Sequence, residues 1–401
     1  VFHKTRQIES CIAWVRLSAI LVALLLMVAG AAPVAADVAL HKNDIDMLRV
    51  AKPGAVLVDS AKRASQLKTR GPQVVRRMCG GPPPILLGEP APVSRSPVAS
   101  GERDAVSSGE RAIQTFSLTL MTGAAAALAG DAEAATIALD LLTRWAQANA
   151  LAVPTDANER VLQAAVSSLR RTMLGAVASW AVLRERLAPP AETILLIEQW
   201  LHRRVLEADQ SISSAGRHAE ALGETRHMGG LARSAMVMAF GALTGDHQMF
   251  RRGPRSVVAL LQDMRADGSL PTEMSKGMRA LAHQRSTVAG LVTILEIARV
   301  QGIDLETLEV DGKRVKRVTD FLMQALVEPA TVAPYAPERQ DTSFLDARPS
   351  GRHAMAWFEP WYRRSGIHPM ATGEVPAALI AQRPLVDELA GGNTTCMFAR
   401  F

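Results

Sequence analysis

Between about Asp104 and Glu328 the apolar residues recur at intervals of three and four. Leu162, Val166, Leu169, Met173, Val177 and Trp180 fall on one face of a single long helix. Leu291, Leu295 and Ala298 repeat the pattern further on. Turn formers interrupt it at Gly130-Asp131, Pro154-Thr155-Asp156, Pro189-Pro190, Gly245-Asp246, Gly253-Pro254, Asp267-Gly268 and Gly302-Ile303-Asp304. No stretch keeps a strict two-residue alternation. The predicted architecture is therefore all-α, with helices of roughly 15–25 residues stacked as hairpins. No exact repeat is visible, which disfavours a regular solenoid.

The flanks read differently. Residues 37–105 are rich in Pro, Ser and Gly and include Pro82-Pro83-Pro84 and the run from Pro90 to Pro97, so an irregular segment is expected there. After Glu328 the prolines return, followed by an aromatic cluster at Trp357, Trp361 and Tyr362. At the start, His3, Lys4, Arg6 and Arg16 flank or precede the apolar run Leu17–Ala32, and Val34-Ala35-Ala36 follows. That layout suits a secretory signal cleaved after Ala36 better than an uncleaved anchor. The expected organisation is a signal over 1–36, an irregular segment over 37–105, a helical domain over 106–385 and a tail over 386–401.

Composition narrows the classes. The 401 residues are 48% hydrophobic and 21% charged, which excludes disorder. Three cysteines exclude a disulfide-stapled mini-protein. A single long apolar run excludes a polytopic membrane protein. The formal charge of +6 falls to about +4 if Lys4, Arg6, Arg16 and Glu9 leave with the signal. It suits an acidic partner without naming one. Basic residues are scattered among acids, so no nucleic-acid-binding helix stands out. Cleavage would leave Cys79 and Cys396, which suit a disulfide and a pair of separate thiols equally well.

The densest polar group is DGSLPTEMSKGMRALAHQRS, Asp267 to Ser286. Glu273 follows Pro271 into the first helical turn, where a carboxylate suits the dipole. Arg279, His283 and Ser286 share one helical face. An arginine beside a histidine can hold a carboxylate and move a proton. Taken alone, the spacing favours the plainer alternative, a solvated face with Arg279 paired to an acid. Arg226 and His227 form a second group in ETRHMGG, where a cap or surface role is the commoner fate. HExxH, paired CxxC, phosphate-loop, GxSxG and dinucleotide motifs are absent. No metal or cofactor is expected.

Four segments together resemble the bacterial alginate lyases of polysaccharide lyase family five. Cys79, Pro82-Pro83-Pro84 and Ser94-Arg95-Ser96 are similar to that family's Cys, proline triplet and S-K-Y-x-G lid. Thr143 to Leu151 resembles its S-A-W-A-x-A-x-A-L helix. Gly268-Ser269-Leu270-Pro271-Thr272-Glu273, Arg279-Ala280-Leu281-Ala282 and Gln301-Gly302-Ile303-Asp304-Leu305 resemble G-x-L-P-x-E, R-A-L and N-G-V-D-L. Ala356-Trp357-Phe358-Glu359-Pro360 matches A-W-x-E-P. The resemblance covers residues 79–362 and implies a periplasmic, monomeric enzyme on an incomplete (α/α) toroid.

The resemblance further implies β-elimination on a uronate polymer. Asn, His and Arg stabilise the substrate carboxylate, and a Tyr serves as base and acid. Arg279 matches the family arginine and Arg95 the lid lysine. His227 is the best match for the family histidine, with Arg226 where the Asn belongs. Ser286 replaces the catalytic Tyr, and His283 replaces an earlier Tyr of the same motif. A serine hydroxyl is far too weak a base, whereas an imidazole of pKa ~6.5 suits the task. The expected catalytic set is His227, Arg279 and His283. The expected substrate-binding set is Arg95, Arg226, Arg285, Ser286, Trp357 and Trp361, although a helical Trp is more often core. The implied function is a lyase acting on an alginate-like or glucuronate-containing acidic polysaccharide. The alternatives are a non-catalytic polysaccharide-binding or export-assembly protein on the same fold, and a helical scaffold for protein partners.

Overall fold

The breakers divide the chain into helical hairpins, as the periodicity predicts. The computed structural model describes residues 40–80, 108–153, 159–209, 228–348, 351–365 and 373–400. The signal expected over 1–36 lies outside them.

Two short helices come first, α1 (Ser60–Lys68) and α2 (Pro72–Cys79). The Asp59 carboxylate caps α1 by accepting from Lys62 N at 2.9 Å. Pro72 opens α2, where a missing N–H leaves no bond unmade. Their presence corrects the irregular reading of 37–105. The proline-dense stretch 82–97 on which that reading rested is outside the described residues.

Helices α3 (Ser108–Ala129) and α4 (Ala132–Gln147) form the first long hairpin. Asp131 caps α4 through Ala134 N at 3.1 Å. Phe116 stacks on Trp145 with ring centroids 4.0 Å apart. A Cβ on Gly123 would lie 2.1 Å from Ala138 Cβ, so only glycine allows this approach. Helices α5 (Glu159–Leu187) and α6 (Ala191–Asp209) follow. Val166, Leu169, Met173, Val177 and Trp180 on α5 are all buried. Arg184 Nη1 meets Glu198 Oε1 at 2.5 Å across this hairpin.

Helix α7 (Met228–Thr244) runs back along α6, with Phe240 parallel to the His202 ring at 5.4 Å. Short α8 (His247–Phe250) leads into α9 (Arg252–Asp263). Gly253 seats α9 against Met238 of α7 and Ile294 further on. Next come α10 (Pro271–Met274), α11 (Ala280–Val300), a two-residue hairpin β1–β2 (Glu309–Val310, Lys313–Arg314) and α12 (Val315–Val327).

Helices α3, α5, α7 and α11 make an inner layer; α4, α6, α9 and α12 pack outside it. Gly290 of α11 lies against Leu231 and Ala232 of α7, and Ile294 and Met238 meet at Gly253. The two helices therefore run parallel. Helix α6 runs against both α5 and α7, which makes those two parallel as well. Helix α11 is buried around nearly its whole circumference, the mark of a helix enclosed by protein. Helix α3 is apolar and long enough to cross a membrane over Arg111–Ala129, yet its Phe116, Leu120, Met121, Ala124 and Ala125 are all at 0% exposure.

The C-terminal part consists of α13 (Phe358–Ser365), α14 (Glu374–Ala381), hairpin β3–β4 (Val386–Asp387, Gly392–Asn393) and α15 (Thr394–Phe398). Residues 386–399 are not the tail expected. Glu388 packs on Gly175 of α5, Gly392 on Met121 of α3, and Thr293 Oγ1 of α11 donates to Leu389 O at 3.0 Å. The hairpin thus fills the space between inner helices. A Cys79–Cys396 disulfide (Cα–Cα 4.6 Å) joins α2 to α15, closing the question the sequence left open. Arg63 reinforces the joint, donating to Cys396 O at 2.7 Å and Ala399 O at 3.1 Å.

Candidate active site

The Asp267–Ser286 motif folds back on the N-terminal end of inner helix α11. Gly268 makes the turn with φ +95, and a Cβ there would come within 2.0 Å of Arg317 O, so the position requires glycine. Buried Gln284 of α11 grips both sides of the turn. Its Oε1 accepts from Leu270 N at 3.2 Å and its Nε2 donates to Gly268 O at 3.2 Å. That strap brings α10 against α11 and buries Glu273, at 1% exposure, beside it.

Thr287 Oγ1 donates to Glu273 Oε1 at 2.8 Å. Glu273 Oε2 faces His283 Nδ1 at 3.5 Å. This is longer than a hydrogen bond but close enough for charge to act, and such contacts tighten when a ligand closes a site. The His283 side chain is 23% exposed. Burial holds its pKa below the ordinary value. Glu273 opposes the shift, and the charges of Arg279, Lys276 and Arg285 add to it. At neutral pH the imidazole is unprotonated and can accept a proton.

Arg279 stands four residues earlier at the N-cap of α11, exposed, with no side-chain partner among the described residues. The helix N-terminus, Lys276 and Arg279 combine to favour an anion at this point. An exposed guanidinium and a carboxylate-backed imidazole thus share one helix face, and such a pair can stabilise a carboxylate while a neighbouring carbon loses a proton.

The other expected site residues separate into two groups. Arg95, Arg226 and His227 lie outside the described residues. Ser286, Arg285, Trp357 and Trp361 are described, and burial turns each of them away from a polymer. The Ser286 hydroxyl donates to Ala282 O at 3.0 Å, one turn back on its own helix. Arg285 points into the protein: it donates to Ala354 O at 3.0 Å, lies over the Phe344 ring, and burial lowers its pKa to about 10. Trp357 and Trp361, at 1% and 3% exposure, are core, so no ring face is open for a sugar. These four positions correct the substrate-binding set.

Glu273 is the residue the sequence assigned elsewhere. Its place in the first helical turn suggested a dipole role, and only the fold-back of α10 onto α11 pairs it with His283. Neither tyrosine replaces the one lost at Ser286. The Tyr335 hydroxyl donates to Asp267 Oδ2 at 2.7 Å, and that bond raises its pKa. Tyr362 stacks on Phe358 at 5.1 Å.

Fold and site together define a helical-hairpin toroid carrying an arginine and a carboxylate-backed histidine at one inner-helix N-terminus. The alginate lyase family model matches residues 84–332, and the chain belongs to that family. An alginate lyase of Pseudomonas syringae pv. tomato is 27% identical over 239 residues, 58% of each chain. A polysaccharide lyase of Stenotrophomonas maltophilia is 26% identical over 268 residues, 67% of this chain and 73% of that one. The chain thus spans 58% of the length of the Pseudomonas syringae relatives it matches. In fold it resembles alginate lyase A1-III of Sphingomonas species A1 (TM-score 0.72, 21% identity, 89% of this chain and 99% of that one). A Bacteroides ovatus alginate lyase shares the fold more distantly (TM-score 0.57, 14% identity, 86% and 100%).

Proposed function

We propose that this protein is a carbon–oxygen lyase that cleaves a uronate-containing acidic polysaccharide by β-elimination. The observation that carries the proposal is the Glu273–His283–Arg279 arrangement at the N-terminus of α11. Family membership supports it, and one solved relative of the same fold is complexed with a tetrasaccharide.

In this reading Arg279 binds the uronate carboxylate and stabilises the charge that builds there as C5 loses its proton. His283 Nε2 takes that proton, while Glu273 orients the ring and stabilises the imidazolium. The C5 electron pair forms the C4–C5 double bond and the C4–O4 bond breaks. The imidazolium, or water, returns a proton to the leaving oxygen. His227 and Arg95 are proposed partners, on the carboxylate side and the lid respectively. The disulfide suits an oxidising compartment and supports the expected export to the periplasm, where the protein is proposed to act as a monomer.

The test is absorbance of the unsaturated uronate product across a panel of acidic polysaccharides, alginate and glucuronate polymers included. Product from at least one polymer, lost in His283→Ala, is expected. No product from any polymer sinks the lyase reading. One observation favours a second reading, polysaccharide binding without cleavage. The family's catalytic Tyr is Ser286 here, and its hydroxyl is engaged with its own helix. Binding to the same panel without product would select it.

A further inference from the structure

Arg352 donates to Gln114 O of α3 and pairs with Glu388, which packs on Gly175 of α5, while Gly391 and Gly392 reach Ala178 of α5 and Met121 of α3. Helix α3 therefore runs parallel to the other inner helices, and its C-terminal end lies at the opposite end of the layer from the Arg279–His283 site. A groove of about 560 Å³ opens there, between α1–α2 and the α3–α4 turn, within the range of ligand-sized concavities. Its floor is apolar, with Leu67, Val75, Ala126 and Ala129 among its lining. Its rim carries Lys68, Arg70 and Arg76, all exposed, and Asp131 is the single carboxylate in the lining among the described residues.

The positive field continues beyond the groove. Arg63 is buried next to it, and its pKa is lowered to about 10 by burial and then by the charges of Arg363 and Arg70, with Glu359 opposing. Burial also lowers Arg363, followed by the charge of Arg299; Arg400 and Arg364 act the same way, against Glu296. The two carboxylates that oppose this field at Arg63 and Arg363 are engaged. Glu359 is held by Arg383 at 2.6 and 2.8 Å, and Glu296 pairs with Arg299 and Arg364. Lys68 and Arg76 end their helices, where the dipole favours cations. The dipole does not explain why they converge with Arg70 over one apolar concavity.

We propose that this groove is a second binding site for acidic polysaccharide, separate from the candidate active site. The apolar floor would receive the C–H faces of sugar rings, and Lys68 and Arg76 on the rim their carboxylates, with Arg70 adding to the positive field. The choice of ligand rests on the uronate-polymer reading above. A membrane surface fits less well, because a bilayer needs protruding apolar side chains. Among the described residues the exposed ones, such as Met47, Leu195, Leu206 and Val327, are scattered, and of these only Val74 lies on α2 beside the groove.

The test measures binding of fluorescent uronate oligosaccharides and of polymeric alginate to the full chain carrying Arg279→Ala/His283→Ala, which silences the candidate active site. This protein should keep salt-sensitive binding. Adding Lys68→Glu/Arg76→Glu should weaken it roughly tenfold, as expected for turning two exposed attractions into repulsions. The milder Lys68→Gln/Arg76→Gln pair should weaken it about threefold with an unchanged melting temperature. Binding within twofold of the parent in both groove variants overturns the proposal. So does polymer binding that disappears altogether with Arg279 and His283. Groove-dependent binding to phosphatidylglycerol vesicles, with uronate binding unaffected, overturns it in favour of a membrane. Because binding is read without cleavage, failure of the lyase reading is scored separately by the absence of unsaturated product.

Discussion

Removing the Cys79–Cys396 disulfide offers a quantitative test of how the two ends of the described fold are held. The bond closes a loop with a sequence separation of 317. Loop-closure entropy for that length gives about 5–6 kcal/mol at 25 °C as an upper bound. The folded joint does not rest on sulfur alone. Arg63 still reaches Cys396 O and Ala399 O, and Asn393 Nδ2 still donates to Met78 O at 3.2 Å. The loss should therefore come mainly from a freer unfolded chain. Cys79→Ala/Cys396→Ala should remain folded and lose about 3–5 kcal/mol in urea unfolding, with a steeper denaturant dependence because the uncrosslinked chain exposes more surface. Peptide mapping without reductant should recover the 79–396 cross-link in the parent protein. A stability change below about 1 kcal/mol, or a map lacking the cross-link, would refute the reasoning.

The remaining predictions concern the site. Because burial lowers the His283 pKa and its neutral form is the base, cleavage should persist through neutral pH. It should fall only as pH drops below the ordinary histidine value; a pH–rate profile whose acid limb lies above about 6.5 contradicts this. Glu273→Gln removes the charge that opposes the shift, so the acid limb should move to still lower pH while kcat falls as the ring loses its orientation. Arg279→Ala should lower kcat about 10²–10³-fold, the range for losing one transition-state charge partner, with circular dichroism unchanged. Gly268→Ala should cost about 2–3 kcal/mol, from positive φ and the contact with Arg317 O, read as a lower melting temperature.

The helical architecture was legible because its cause is local. Apolar residues at three- and four-residue intervals, cut by Gly-Asp and Pro-Pro breakers, define amphipathic hairpins before any tertiary contact forms. The errors fell where composition stood in for local chemistry. Prolines made 37–105 read as irregular, although Pro72 only opens a helix. The end of the chain read as a tail, although its hairpin fills the inner layer.

The site was half legible. Arg279 and His283 lie four residues apart on one helix, so their shared face follows from helical geometry alone. What surrounds them depends on contacts distant in sequence. A buried tryptophan and one that stacks on a sugar look the same in a string of residues, and so do an arginine facing solvent and one turned toward Ala354. The sequence alone determined the helices, their hairpin pairing and the arginine–histidine face, since these depend on neighbours within a turn or two. Tertiary structure alone decided that Glu273 backs His283, that Arg285, Trp357 and Trp361 are interior, and that Cys79 meets Cys396. Each depends on which surfaces the packed helices bring together and which they close to water.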